Sequence, residues 1–166
     1  MSLLYFAYGS NMHPGRLRHR IGLAIPWDVA RLDHHRLAFH KRGADGSGKG
    51  DVVVAADAEV WGVLYSVDLR HAELLDQVEG PGYSRAEVRV VRQSDGQHVR
   101  AFCYRARAAA IADGLAPFHW YLDFVLHGAL HHGLPARYTD WLRSIPVADD
   151  PDVARTRRER ALLRER

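Results

Sequence analysis

Two places in this chain set chemistry-capable residues where a reaction would need them. The first is Tyr8-Gly9-Ser10-Asn11, which follows the apolar run Leu3 to Ala7 and precedes a helix start at Pro14. Glycine lets a backbone turn tightly. The free N–H groups of such a turn, and of the first helical residues, are suited to hold an anion or an oxyanion. The second is Glu79, the last residue of a predicted helix that stops at Gly80. The partial negative charge at a helix C-terminus disfavours a second negative charge, and an apolar pocket adds to that effect. A carboxylate tuned in this way serves as a general base or acid near neutral pH. Taken singly, each place also has an ordinary reading: a strand-to-helix turn, and a solvated helix-end glutamate.

Other chemistries fail on context. Gly43 with Gly48-Lys49 comes close to a phosphate-binding loop. Gly50 stands where the magnesium-binding hydroxyl belongs, however, and a β-rich run follows in place of a helix, so residues 43 to 51 read as a mobile loop or lid. His127 and His131 are four apart on a predicted helix, but no glutamate follows His127, and an exposed histidine face is the simpler reading. Cys103 is the sole cysteine, lies in a strand away from any helix N-terminus, and reads as buried structure. Ser10 lacks the flanking glycines of a nucleophile elbow.

The elements that must position the two surviving places follow from hydrophobic period. Leu3 to Ala7 reads as a strand, Pro14 to Arg20 as a short helix and Arg31 to Arg42 as a strand. After the glycine-rich loop come two strands, Val52 to Ala56 and Glu59 to Val67. Leu69, Ala72, Leu75 and Val78 then repeat at helical spacing behind a capping Asp68. Residues 83 to 93 and 97 to 106 alternate around Ser94-Asp95-Gly96 as a hairpin. A helix follows Pro117 to about His132, and Pro135 opens another. Consecutive strands in the middle of the chain make this an α+β order, unlike a doubly wound sheet.

Composition narrows the class. The 166 residues, 47% of them hydrophobic, suffice to bury one core. No basic segment precedes an apolar stretch, and no run approaches a membrane span, so a soluble cytoplasmic protein without membrane association is expected. The net charge of +3 owes much to the stretch from Arg155 to Arg166, where six arginines stand against two glutamates. That tail reads as a solvated, partly helical extension. It has no aromatic residue, so a nucleic-acid partner is not expected. Trp120, Trp141, Leu162 and Leu163 are read as exposed and open the way to a homodimer.

The segments "YFAYGSNM", "EVWGVLYSV", "LDQVEGPGY" and "GALHHGLPARYTDWL", in this order, resemble the γ-glutamylcyclotransferase family (also AIG2-like) from about Leu3 to Ile145. The resemblance implies one domain over residues 1 to 148, with 149 to 166 as an appended charged tail. It also implies a closed or nearly closed β-barrel flanked by helices. The implied activity releases 5-oxoproline and a free amine from a small γ-glutamyl substrate, with Glu79 as proton acceptor. Tyr5, Phe6, Ala7, Tyr8, Gly9 and Ser10 would line the glutamyl end, Tyr121 would be a pocket contact, and Asn11, Gly80 and Tyr83 would support the site. The substrate's own α-amine is the nucleophile in such a reaction, so neither an enzyme nucleophile nor a metal or other cofactor is called for. The leaving amine stays open: an amino acid, a polyamine-like amine or a lysine ε-amine. A catalytically silent relative, binding a small acidic metabolite or a protein through the same pocket, is the alternative. Either way, residues 8 to 11 and Glu79 must face one crevice.

Overall fold

The computed structural model describes residues 2–165. Its centre is a closed barrel of five strands in the order β1-β3-β2-β4-β5. β1 (Ser2–Ala7) lies antiparallel to β3 (Gly48–Asp68), β3 to β2 (Ile25–Arg42), β2 to β4 (Tyr83–Arg92) and β4 to β5 (His98–Ala106). One parallel contact, Tyr5 opposite Phe102, joins β5 back to β1 and removes the free edge. The α+β order and the barrel expected from the resemblance are both present.

β2 and β3 are longer than the hydrophobic pattern predicts. β2 begins at Ile25, and β3 runs unbroken through Asp57 and Ala58, where two strands were expected. No glycine or proline interrupts β3 there, so the chain stays extended, although the pairing with β2 jumps from Asp33–Glu59 to His35–Val54. Register shifts at Pro26/Asp28, Asp33/His35 and Ala38/Lys41 absorb the curvature.

The segment expected as a mobile loop or lid over 43 to 51 is instead a short hairpin turn, and β3 starts at Gly48. Gly43 donates to the Ser47 carbonyl at 2.8 Å, and Asp45 is held by Ser47 and Lys49. The glycine at 48 serves close approach: a Cβ there would fall 2.2 Å from the Phe39 carbonyl oxygen.

Helices accompany the barrel: α1 (Pro14–Ile21), α2 (Leu69–Glu79), α3 (His119–His131), α4 (Ala136–Arg143) and α5 (Val153–Leu162). A 3-10 turn at Ser10–Met12 links β1 to α1. In α2, Asp68 caps the N-terminus by accepting from the His71 amide, and Gly80 at φ +74° ends it. Only Ala72 and Leu75 of its apolar stripe are buried; Leu69 and Val78 face water. Cys103 is fully buried, and burial pushes its thiol up to about 12.

The tail is helical, and no residue of α5 is fully buried, yet it is fastened to the body. Glu159 pairs with Arg16 at 2.8 Å, Arg155 forks onto Asp150, and Leu162 and Leu163 pack against the core. Trp120, expected at the surface, is 3% exposed and donates through Nε1 to Asp150 at 2.8 Å. An aromatic stripe on a helix pattern does not by itself reveal which ring the tail will cover. Trp141 does remain exposed, as do His127 and His131. No helix among the described residues is long and apolar enough to cross a membrane.

Candidate active site

β1 delivers its C-terminal end to a pocket at one mouth of the barrel. The pocket is lined by Tyr5, Tyr8, Gly9, Ser10, Asn11, Gly50, Glu79, Tyr83, Tyr104 and Tyr121 and encloses about 310 Å³ including its opening. The two places singled out in the sequence meet here. Asn11 Nδ2 donates to Glu79 Oε1 at 2.8 Å, joining the turn to the end of α2 across 68 positions of chain.

Asn11 is fully engaged. Its Nδ2 also donates to Tyr5 Oη at 2.9 Å, and its Oδ1 accepts from Arg20 Nη1 at 2.9 Å. Arg20 Nη1 in turn lies 3.3 Å from Glu79 Oε1. The carboxylate therefore has a cationic neighbour as well as an amide donor, and the helix-end argument alone had counted neither. Arg20 stands on the last turn of α1, one turn beyond Arg16, and no pattern within α1 marks it as facing the site.

The turn itself departs from the reading of Gly9 as a tight-turn glycine. Gly9 has φ −112° and ψ −142°, outside the left-handed region, and the change of direction is made by the 3-10 turn that follows. A Cβ at Gly9 would stand 3.6 Å from the Tyr121 hydroxyl, in ordinary contact. The glycine's effect is to leave that pocket floor open. The first N–H groups of a 3-10 turn have no acceptor within it. Ser10 Oγ is taken up by Arg16 Nε at 3.0 Å, which fixes it as an acceptor.

Gly50 is the hub of the tyrosine wall, a role the loop reading of residues 43 to 51 concealed. Its N–H donates to Tyr121 Oη at 3.0 Å, and its carbonyl accepts from Tyr83 Oη at 2.6 Å. Tyr8 Oη donates to the Tyr104 carbonyl at 2.5 Å. Burial holds the phenols of Tyr5, Tyr8, Tyr83 and Tyr121 above the usual tyrosine range, so they remain neutral hydroxyls at physiological pH. Tyr104, unforeseen in the sequence, is raised by burial and by its bond to Asp76.

Of the residues expected at the site, Tyr5, Tyr8, Gly9, Ser10, Asn11, Glu79, Tyr83 and Tyr121 line this pocket, whereas Phe6, Ala7 and Gly80 do not. Phe6 and Ala7 are buried in the barrel core. Strand alternation turns Phe6 to the face opposite Tyr5, and Ala7 is paired with Val63 in the ladder. Among the described residues, no group of three or more histidines, cysteines or carboxylates is placed to hold a metal.

A barrel whose first strand leads into a turn facing a helix-end carboxylate can be compared with known proteins. A model of the AIG2-like family matches residues 59–142. Curated γ-glutamylcyclotransferases of Bos taurus and Homo sapiens are 31% and 30% identical over 156 residues, covering 89% of this chain and 81% of each relative. A solved structure of a γ-glutamyl cyclotransferase superposes with a TM-score of 0.83 at 29% identity, over 90% of both chains. The chain belongs to the γ-glutamylcyclotransferase family.

Proposed function

We propose that this protein cyclises γ-glutamyl compounds to 5-oxoproline, releasing the amine. The observation that carries this reading is the contact of Glu79 with Asn11 over a small tyrosine-walled pocket, 2.8 Å between donor and acceptor. It rests also on the family's curated relatives of that name.

The steps balance within one molecule of substrate. Glu79 takes a proton from the substrate's α-ammonium, and the freed amine attacks the γ-carbonyl carbon to form the ring C–N bond. As the tetrahedral centre collapses, the old amide C–N bond breaks and Glu79 hands its proton to the departing nitrogen, while the ring nitrogen gives up its second proton, which the released amine takes up through solvent to leave as an ammonium. The amine and the γ-carbonyl already belong to one molecule, so the pocket contributes by holding the flexible glutamyl chain in the folded geometry that attack requires. The amides that open the Ser10–Met12 turn and the neutral hydroxyls of the tyrosine wall are the donors available to the substrate carboxylate and the developing oxyanion. Asn11 and Arg20 keep the Glu79 carboxylate aimed at the pocket.

The test is Glu79→Gln, which keeps the shape and removes the base. Turnover of γ-glutamyl-alanine to 5-oxoproline is expected to fall by about 10²- to 10⁴-fold, while the affinity for substrate, measured by calorimetry, changes little. Near-normal turnover by the variant would end the assignment. Binding without product in the unaltered protein would favour a silent binding protein.

A further inference from the structure

The pocket opens onto a wider vestibule, of about 1030 Å³ including its opening, which shares Ser10, Glu79, Tyr83 and Tyr121 with it. Once the pocket holds the glutamyl end, the departing amine is placed on this side, because the vestibule shares Glu79 with the pocket, whereas the cavity that adjoins it at Tyr83 and Tyr104 does not. The vestibule wall carries Arg16, Arg20, Lys41, Lys49 and Arg155 against Asp45, Glu79 and Glu159. Most of these cations are already engaged: Arg16 with Glu159 at 2.8 Å, Lys49 with Asp45 at 2.8 Å, Arg155 with Asp150, and Arg20 with Glu79.

Lys41 is the exception. No carboxylate among the described residues lies within ion-pair distance of it, and its Nζ stands 4.7 Å over the Tyr83 ring. The side chain is half-buried, and desolvation lowers its ammonium below the usual lysine range, with Glu79 and Asp45 opposing that from a distance. Its path is built into the fold, because it crosses Gly82 so closely that a Cβ there would fall 2.6 Å from Lys41 Cε. A partly desolvated cation without a counter-ion, held at the rim of a substrate pocket, is a receptor for an anion carried by the ligand.

Resting on the cyclisation reading above, we propose that Lys41 receives the α-carboxylate of the leaving amino acid. The substrates are then γ-glutamyl amino acids, and γ-glutamyl derivatives of neutral or cationic amines are disfavoured. A polyamine leaving group would bring positive charge against a wall whose cations outnumber its carboxylates. Among the leaving amines that the sequence leaves open, this separates an amino acid from a polyamine-like amine; free lysine joined through its ε-amine carries a carboxylate too and falls with the amino acids.

The experiment compares 5-oxoproline release by the full-length protein from γ-glutamyl-alanine, its C-terminal amide, and a γ-glutamyl diamine. The acid is expected to exceed the amide in kcat/KM by roughly tenfold or more, with the diamine lowest. In Lys41→Met the acid-to-amide ratio is expected to fall to within about twofold, and Lys41→Arg should restore most of it. Gly82→Ala, which displaces the lysine without removing its charge, should lower the same ratio. Equal turnover of acid and amide by the unaltered protein, or an unchanged ratio in Lys41→Met, overturns the assignment of Lys41 while leaving cyclisation standing. Failure of all three compounds to yield 5-oxoproline overturns cyclisation itself, and the Lys41 role with it.

Discussion

Asn11 is the side chain through which the turn and Glu79 touch, and its amide is used on both ends: two donations from Nδ2 and one acceptance at Oδ1. Replacement by leucine keeps the branched outline, with bulkier methyl groups, and removes all three bonds. Asn11→Leu is expected to cut kcat by about 10- to 100-fold with a smaller change in KM, because Glu79 loses its aim more than the substrate loses contacts. The same change strands buried Tyr5 Oη and should lower stability by about 1–3 kcal/mol, read as a fall in the urea midpoint. An unaltered kcat would show that Asn11 only braces the fold. Ser10, buried beside it, accepts from Arg16 and is held in place by that bond.

At the scale of elements, the site turn is clamped from behind by α3. Gly128 lets the helix press against the chain at Met12 and His13: a Cβ at Gly128 would fall 2.6 Å from the His13 amide nitrogen and 2.6 Å from the Met12 carbonyl carbon. Both of those atoms are backbone and cannot swing aside. Gly128→Ala, at a residue outside the pocket lining, is therefore expected to cost about 2–4 kcal/mol. It should also lower kcat, since relief of the clash pushes the Ser10–Met12 turn toward the pocket. Thermal unfolding and steady-state rates measured on one preparation check both parts. A loss of stability with wild-type kcat would mean that the turn does not transmit the displacement. α2 works on the other wall: Asp68 fixes where it begins and Gly80 where it ends, so Glu79 is presented at a set height above the barrel mouth.

Over the whole molecule, one cluster ties barrel, site turn and outer helix together. Tyr65 Oη from β3 and His132 Nε2 from the end of α3 both donate to the Met12 carbonyl at 3.0 Å. Burial lowers the His132 imidazole to about 4. The unfolded chain, with an ordinary histidine near 6.5, therefore takes up a proton first as pH falls. This contribution is fully present above about pH 6.5 and is lost progressively toward pH 4. It amounts to about 2 kcal/mol once partial exposure is allowed for. His13, lowered by burial as well, acts with the same sign. Asp45 and Asp150 are held below the usual carboxylate range, so their losses begin at lower pH. Urea midpoints at pH 7, 5.5 and 4.5 should fall along this window, and His132→Gln should flatten the slope. An identical slope in the variant would assign it to other groups.

How much of this was legible in the letters depends on how local each determinant is. The α+β order, the capped and glycine-ended α2, the hairpin around Asp95 and the burial of Cys103 follow from period, caps and turn residues, which act over a few positions. Glu79 and the 8-to-11 turn are singled out locally by a glycine and a helix end, but each alone also reads as an ordinary turn or a solvated glutamate, and it is the family resemblance that joins them in one site. Arg20, Gly50 and Tyr104 carried no such mark, and Phe6 and Ala7 were named but lie in the core. Pocket membership is settled by barrel closure, strand register and the packing of α2 and α3, which bring together residues as distant in sequence as Tyr5 and Tyr121 and bond Tyr8 to Tyr104 across 96 positions. The residue types available for catalysis were thus fixed by the chain itself. Which carboxylate meets which amide, and which lysine has no counter-ion among the described residues, were decided only in three dimensions, because those contacts arise from packing between elements that carry no information about one another locally.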